Sequence, residues 1–179
     1  LIRCLAELVR AGRPARLLMV GGKVGASDPT NLAYLAKVEA LIAELGLAER
    51  VQWTGFTDPP EVSANLLAAD CAVLPYREGA SLRHGSLMAA LAHGLPIVST
   101  EVPAAVRADP GLFPLPVNGE SALLLPPDDP AALAAAVTRL MTEDGLRTRL
   151  GAASATLARA FAWDVIARRH LDLYGQLGR

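Results

Sequence analysis

Aromatic side chains make up only 4% of the 179 residues, with 3 Phe, 3 Tyr and 2 Trp. A core in this chain therefore rests on Leu, Val, Ile and close-packed alanine rather than on rings. Cysteine is scarcer still. Cys4 and Cys71 stand far apart, with no Cys-x-x-Cys pair and no histidine at ligand spacing. That argues against a zinc site or a disulfide framework and fits a reducing compartment. An excess of charge is also missing: 17 Lys and Arg face 18 Asp and Glu, for a formal net charge of -1 at pH 7. Nucleic-acid binders usually carry a basic excess or a basic face, so nucleic acid is not an expected partner. Long hydrophobic runs are absent too. The longest stretch without Asp, Glu, Lys or Arg, His84 to Thr100, is broken by Gly94 and Pro96. It falls short of the ~20 apolar residues a spanning helix needs, so no transmembrane segment is expected. The opening Leu1-Ile2-Arg3-Cys4-Leu5 has no initiator Met, basic n-region or small-residue cleavage site. It reads as an excerpt of a longer protein without a secretory signal.

What is present is ordinary globular material, 52% hydrophobic and 20% charged. A chain of this length buries about 70% of its unfolded surface, enough for one self-sufficient core. The expectation is a single domain over residues 1–179.

Apolar residues at helical spacing (Leu1, Leu5, Leu8, Val9) run to Gly12, and Leu17 to Val20 then form a short buried strand ending in Gly21-Gly22. Asp28-Pro29 starts a helix to about Leu45, with Asp28 as its N-cap. Val51-Gln52-Trp53 is a second strand. Asp58, Pro59 and Glu61 form a capping-box-like start for a helix over Val62 to Ala69. Ala72 to Pro75 is a third strand, Gly85 to His93 a helix stopped by Gly94, and Ile97-Val98-Ser99 a fourth strand. Val102 to Gly119 reads as a proline-rich loop and Ala122 to Leu125 as a fifth strand. Helices follow from Asp129-Pro130 to about Thr142, from Gly145 to Ala160 and from Trp163 to Leu177. Strands alternating with crossover helices predict an α/β fold: a Rossmann-like, doubly wound parallel sheet with helices on both faces and a helical C-terminus.

Ligands of such sheets bind beyond the carboxyl ends of the strands. Gly21-Gly22-Lys23-Val24-Gly25 follows a strand but matches neither a dinucleotide fingerprint nor a P-loop. It is either a backbone approach to a phosphate, with Lys23 in reach, or a tight turn with a solvated lysine. The richest segment is Pro75 to Ser86. A helix opening at Gly85 and Ser86 presents unpaired N–H groups suited to a diphosphate, with Arg83 and His84 beside it. Glu78 can accept from two hydroxyls at once, as a sugar diol requires, or is a surface charge. His93 is read as a helix cap, His170 as solvated, Trp53 and Trp163 as packing anchors, and Arg168 and Arg169 as a solvated helix face. A phosphorelay receiver is set aside, because the strand at Leu17 to Val20 ends in glycine rather than aspartate.

The order of Leu17-Leu18-Met19-Val20-Gly21-Gly22, Val51 to Phe56, Ala68 to Pro75, Glu78-Gly79, Ala90 to Val98, Asn118 to Pro130 and Phe161-Ala162-Trp163-Asp164 resembles the C-terminal, donor-binding lobe of retaining two-lobed (GT-B type) glycosyltransferases, group 1. The resemblance covers nearly the whole chain. It implies a lobe that binds a nucleotide-diphosphate sugar for retaining transfer. Glu78, Gly79 and Ser81 would lie at the donor sugar, Gly21, Gly22, Arg83, His84, Gly85 and Ser86 at the diphosphate, and Phe56 and Thr57 beside the base. It implies no metal and no cofactor beyond the donor substrate. The partner would be the chain's own N-terminal lobe, and the setting the cytoplasm or the inner membrane face, with any peripheral membrane contact made through that other lobe. Ala89 stands where the family carries a second glutamate, and the family's phosphate-binding Arg and Lys lie upstream of Leu1. The isolated chain is therefore expected to be inactive. The competing reading is a non-catalytic nucleotide-binding or protein-interaction lobe of the same fold.

Overall fold

The computed structural model describes residues 1–23, 29–81, 83–103 and 114–177. Asp28 and residues 104–113 of the proline-rich loop lie outside them. The chain divides into two compact units, residues 1–69 with 129–142, and residues 70–128 with 143–179.

The first unit contains α1 (Ile2–Arg10), β1 (Leu17–Met19), α2 (Pro29–Glu44), β2 (Val51–Trp53), α3 (Pro59–Ala68) and α5 (Pro130–Thr142), while α4 (Gly85–Ala92) falls in the second unit. One face of α1 buries Ile2, Cys4, Leu5, Ala6 and Leu8, while Arg3, Glu7 and Arg10 face water. Ile2, Leu5 and Ala6 meet Ile42 of α2 and Leu47, with Leu17, Val51 and Trp53 packed around them. Trp53 is thus the packing anchor it was expected to be. β1 and β2 pair in parallel, Leu17 with Val51 and Met19 with Trp53. Asp58 caps α3 as its sequence predicts, its carboxylate accepting from the Glu61 N–H at 2.9 Å. Asp129 does the same for α5 through the Ala132 N–H at 2.9 Å, and α5 packs on α1.

Cys4 behaves as a small core hydrophobe. Burial pushes its thiol up from 9.0 to about 11. An unfolded thiol ionises near 9 while the folded one stays protonated, so the unfolded state binds fewer protons across that interval and stability falls as pH rises through it. Denaturant unfolding between pH 8 and pH 11 should show a decline that is shallower in Cys4→Ala; equal slopes for the two proteins would contradict the assignment.

The second unit contains β3 (Ala72–Leu74), α4 (Gly85–Ala92), β4 (Ile97–Thr100), β5 (Leu123–Leu125), α6 (Leu146–Ala158) and α7 (Trp163–Leu177). Its strands pair in parallel in the order β3-β4-β5. Val73 lies opposite Val98, which also faces Leu123 on the other side. All four residues of β4 are buried, as the middle strand of a parallel sheet requires. Two of them are hydroxyl residues, and both are satisfied: Ser99 donates to the Leu74 carbonyl at 2.5 Å, and Thr100 to the Tyr76 carbonyl. Buried hydroxyls without acceptors would cost about 1–3 kcal/mol each. α6 packs on α4, with Leu87, Leu91 and Leu150 fully buried and Ser154 donating to the Ser121 carbonyl at 3.2 Å.

Every ladder is parallel, as the strand–helix alternation predicts, and the strands fall into two sheets, β1-β2 and β3-β4-β5. His93 follows α4 and its Nδ1 lies 2.8 Å from the Ala89 carbonyl, the capping role expected of it. Trp163 is a correction. It is 82% exposed at the start of α7 and anchors nothing among the described residues, because α7 has no buried residue at all. Leu171, Leu173, Tyr174 and Leu177 of the same helix are exposed as well.

Candidate functional site

β3 delivers the chain to Pro75 and Tyr76, and a tight turn follows. The Gly79 N–H donates to the Tyr76 carbonyl at 3.3 Å, and the Ala80 N–H donates to the Thr100 carbonyl at 2.9 Å. The Thr100 hydroxyl donates back to Tyr76, so the turn is fastened over the carboxyl end of β4. Gly79 makes this possible. Its φ is +84°, and a Cβ there would lie 2.6 Å from Val102 Cα and against the Glu101 carbonyl oxygen. Glu78 is thereby presented outward while Gly79 is buried.

The chain then enters α4 through His84, which occupies the N-cap with φ -86° and ψ 106° but makes no side-chain cap bond. Its imidazole is used elsewhere. Nε2 lies 3.0 Å from Glu78 Oε1. Nδ1 lies 3.3 Å from the Ser81 N–H nitrogen, 3.3 Å from Ser81 Oγ and 3.2 Å from the Ser81 carbonyl. The ring stacks on Tyr76 with centroids 3.7 Å apart and planes 4° from parallel. The Tyr76 hydroxyl shares a 2.6 Å hydrogen bond with Ser86 Oγ. The Glu78 side chain stays 58% exposed against 17% for His84. The hydrogen bond from His84 first, then its own backbone N–H, hold the Glu78 carboxyl below its ordinary value, with Arg83 adding a smaller attraction. The stability tied to that shift is complete above the ordinary carboxylate range and is lost as pH falls through the lowered value. Burial pushes the Tyr76 phenol up.

The Leu87 and Met88 N–H groups both reach the His84 carbonyl. Among the described residues nothing accepts from the N–H of Gly85 or Ser86, so the opening turn of α4 keeps donors for an anion beside a fixed carboxylate. Glu78, Ser81, His84 and Ser86 therefore form one cluster. Gly79 supports it from below, and Arg83 is exposed at its side.

The remaining expected residues belong to the first unit. The Gly21 N–H donates to Thr54 Oγ1 at 3.0 Å, and Thr54 donates to the Gly55 carbonyl at 2.9 Å. Gly21 and Gly55 bridge the ends of β1 and β2, while Gly22 is exposed. Phe56 is 95% exposed at the end of β2. Thr57 Oγ1 is buried with no partner among the described residues. Lys23 is paired with Glu39 at 2.8 Å and lies 5.5 Å from the Trp53 ring centre.

Tyr76 and Thr100 stand at strand ends where ligand loops begin, but the sequence assigns neither a role in the site. The signal for Thr100 is a hydroxyl pair ending an otherwise apolar strand, which must find acceptors if buried. Among the described residues there is no cluster of three or more His, Cys, Asp or Glu placed to hold a metal, and no helix long and apolar enough to cross a membrane.

A family model for glycosyl transferases group 1 matches residues 1–143. The D-inositol 3-phosphate glycosyltransferase of Corynebacterium diphtheriae is 31% identical over 179 residues, covering 98% of this chain and 38% of that protein. Among solved structures, sucrose-phosphate synthase from Thermosynechococcus elongatus superposes with a TM-score of 0.72 at 31% identity, over 98% of this chain and 42% of its own. Anabaena HepE solved with UDP has a TM-score of 0.75 at 18% identity, over 100% of this chain and 44% of its own. The chain thus spans about two fifths of the proteins it matches. A parallel α/β lobe with this ordered set of strand-end loops, matched over most of its length by the family model, belongs to the glycosyl transferases group 1 family.

Proposed function

We propose that this chain is the donor-binding lobe of a retaining glycosyltransferase and takes a nucleotide-diphosphate sugar. The observation that carries the reading is the Glu78 carboxylate, pinned by His84 at 3.0 Å next to the open N–H groups of α4. A carboxylate takes sugar hydroxyls, and a helix N-terminus takes phosphate. Glu78, Gly79 and Ser81 serve the sugar, and Gly85 and Ser86 the diphosphate, with Arg83 supplying positive charge. In the first unit, the Gly21 N–H is already held by Thr54 Oγ1, so of the two glycines at the end of β1 the exposed Gly22 is the one proposed to meet a phosphate. In the same unit, taken by itself, Phe56 offers a bare aromatic face for a base, and Thr57 a hydroxyl without a partner among the described residues. The matched Anabaena protein has also been solved with UDP-glucose, which makes that donor the first to test. The transfer itself needs the remainder of the polypeptide, an N-terminal acceptor lobe, and the cytoplasm or the inner membrane face is the proposed setting. The departing diphosphate is stabilised by fixed dipoles and cations rather than by a metal.

Calorimetric titration of the full-length protein with UDP-glucose, GDP-sugars and UDP tests this. Glu78→Gln should weaken sugar-nucleotide binding about tenfold or more while leaving UDP within about twofold, as loss of a charged acceptor to hydroxyls implies. Absence of binding to every nucleotide tried, together with a silent Glu78→Gln, would overturn it. The alternative of a non-catalytic lobe is motivated by Ala89 in α4, and sugar transfer by the intact protein would count against it.

A further inference from the structure

We propose that His84 is a positioning residue for Glu78, setting the preference for a sugar-bearing donor over the bare nucleoside diphosphate; this rests on the donor-site reading above. The geometry assigns the imidazole to the carboxylate rather than to a phosphate. Nε2 is spent on Glu78 at 3.0 Å. Nδ1 is spent on the Ser81 backbone and hydroxyl, between 3.2 and 3.3 Å. One ring face is covered by Tyr76 at 3.7 Å. No ring N–H remains for an anion. The Ser81 contacts also work in either protonation state, since Nδ1 accepts from the Ser81 N–H when neutral and donates to the Ser81 carbonyl when protonated.

The N-cap supports the same conclusion. That position favours a short side-chain acceptor such as Ser, Thr, Asp or Asn. His84 makes no cap bond there, so its side chain serves the turn that carries Glu78. Fixing one carboxylate oxygen leaves Oε2 and the free lone pair of Oε1 in a defined plane for two hydroxyls, which lowers the ordering needed on binding. UDP alone has no sugar hydroxyls to use that plane.

The test uses the full-length protein titrated with UDP-glucose and with UDP. His84→Asn keeps a group that reaches Ser81, which holds its amide away from the α4 N–H groups, but stops short of Glu78; thermal unfolding checks that it folds. It should bind UDP-glucose about tenfold more weakly with UDP unchanged, and His84→Gln, whose amide reaches as far as Nε2, should recover most of that loss. In a Glu78→Gln background, His84→Asn should add nothing, because the two act as one unit. Wild-type affinity of His84→Asn for UDP-glucose, or an equal loss for UDP and UDP-glucose, would overturn the proposal while the donor-site reading stands. Wild-type protein that binds neither ligand would overturn the donor-site reading first.

Discussion

Gly79→Ala is expected to destabilise the unit that carries it by about 3 kcal/mol, from left-handed backbone strain of about 1–2 kcal/mol plus overpacking of about 1–3 kcal/mol. At about 2–4 °C per kcal/mol for a chain of this length, its melting transition should fall by roughly 6–12 °C. Both contributions are visible at the same atom. The residue has φ +84°, and the new methyl would meet Val102 Cα at 2.6 Å and the Glu101 carbonyl. Those neighbours are backbone that follows a fully buried strand, so neither can yield as a side-chain tip can. Gly79→Asn separates the two contributions. Asn tolerates a positive φ, so strain alone predicts rescue and overlap predicts none. We expect no rescue. The same turn presents Glu78, so Gly79→Ala should also weaken UDP-glucose binding by the full-length protein, and retained affinity with an unchanged melting point would contradict this account.

The helices were legible because their ends carry local chemistry. Asp58 accepts from the N–H three residues on, as its capping-box-like start predicts, Asp129 does the same at the helix start read there, and Gly94 follows α4 where the sequence stops it. The strands were legible as apolar runs next to glycine or proline. Their pairing was not. Leu17–Met19, Ala72–Leu74 and Leu123–Leu125 are apolar triplets of the same kind, so nothing in the pattern says which lies beside which. Only the structure divides them into β1-β2 and β3-β4-β5. α7 misled in another way. Its helical period is real, yet periodicity reports an apolar stripe and not what covers it, and Trp163 stands 82% exposed.

For the site, residue types were readable and partners were not. Glu78 and the start of α4 stood out because a polar loop follows an apolar strand. That His84 faces Glu78 depends on the turn at Gly79 and on the Tyr76 ring beneath the imidazole, a geometry set by Thr100 some 24 residues downstream of Tyr76. Spacing along the chain carries no trace of such a contact.

Gly151→Ala sets two effects against each other, and the larger one fixes the sign. Replacing glycine inside a helix by alanine ordinarily adds about 1 kcal/mol. At Gly151, within α6, the added methyl would lie 2.6 Å from the Gly94 carbonyl oxygen and 3.7 Å from Pro96 Cδ. The loop after α4 is fastened where it stands, the Gly94 N–H donating to the Leu91 carbonyl at 3.0 Å and the Leu95 N–H to the Ala90 carbonyl at 3.1 Å, with Leu95 buried, so withdrawing it would break those bonds. Moving α6 instead would open the layer around the fully buried Leu87, Leu91 and Leu150. Overpacking of up to about 3 kcal/mol then outweighs the propensity gain of about 1 kcal/mol, for a net loss of up to about 2 kcal/mol. Gly175 in α7 supplies the counterpart: a Cβ there meets nothing within 4 Å among the described residues, so Gly175→Ala should stabilise its helix by up to about 1 kcal/mol. Opposite signs for one chemical change, measured by denaturant unfolding of both variants, follow from the Gly94–Gly151 approach alone. A stabilised Gly151→Ala would mean that α4 and α6 do not come this close in solution.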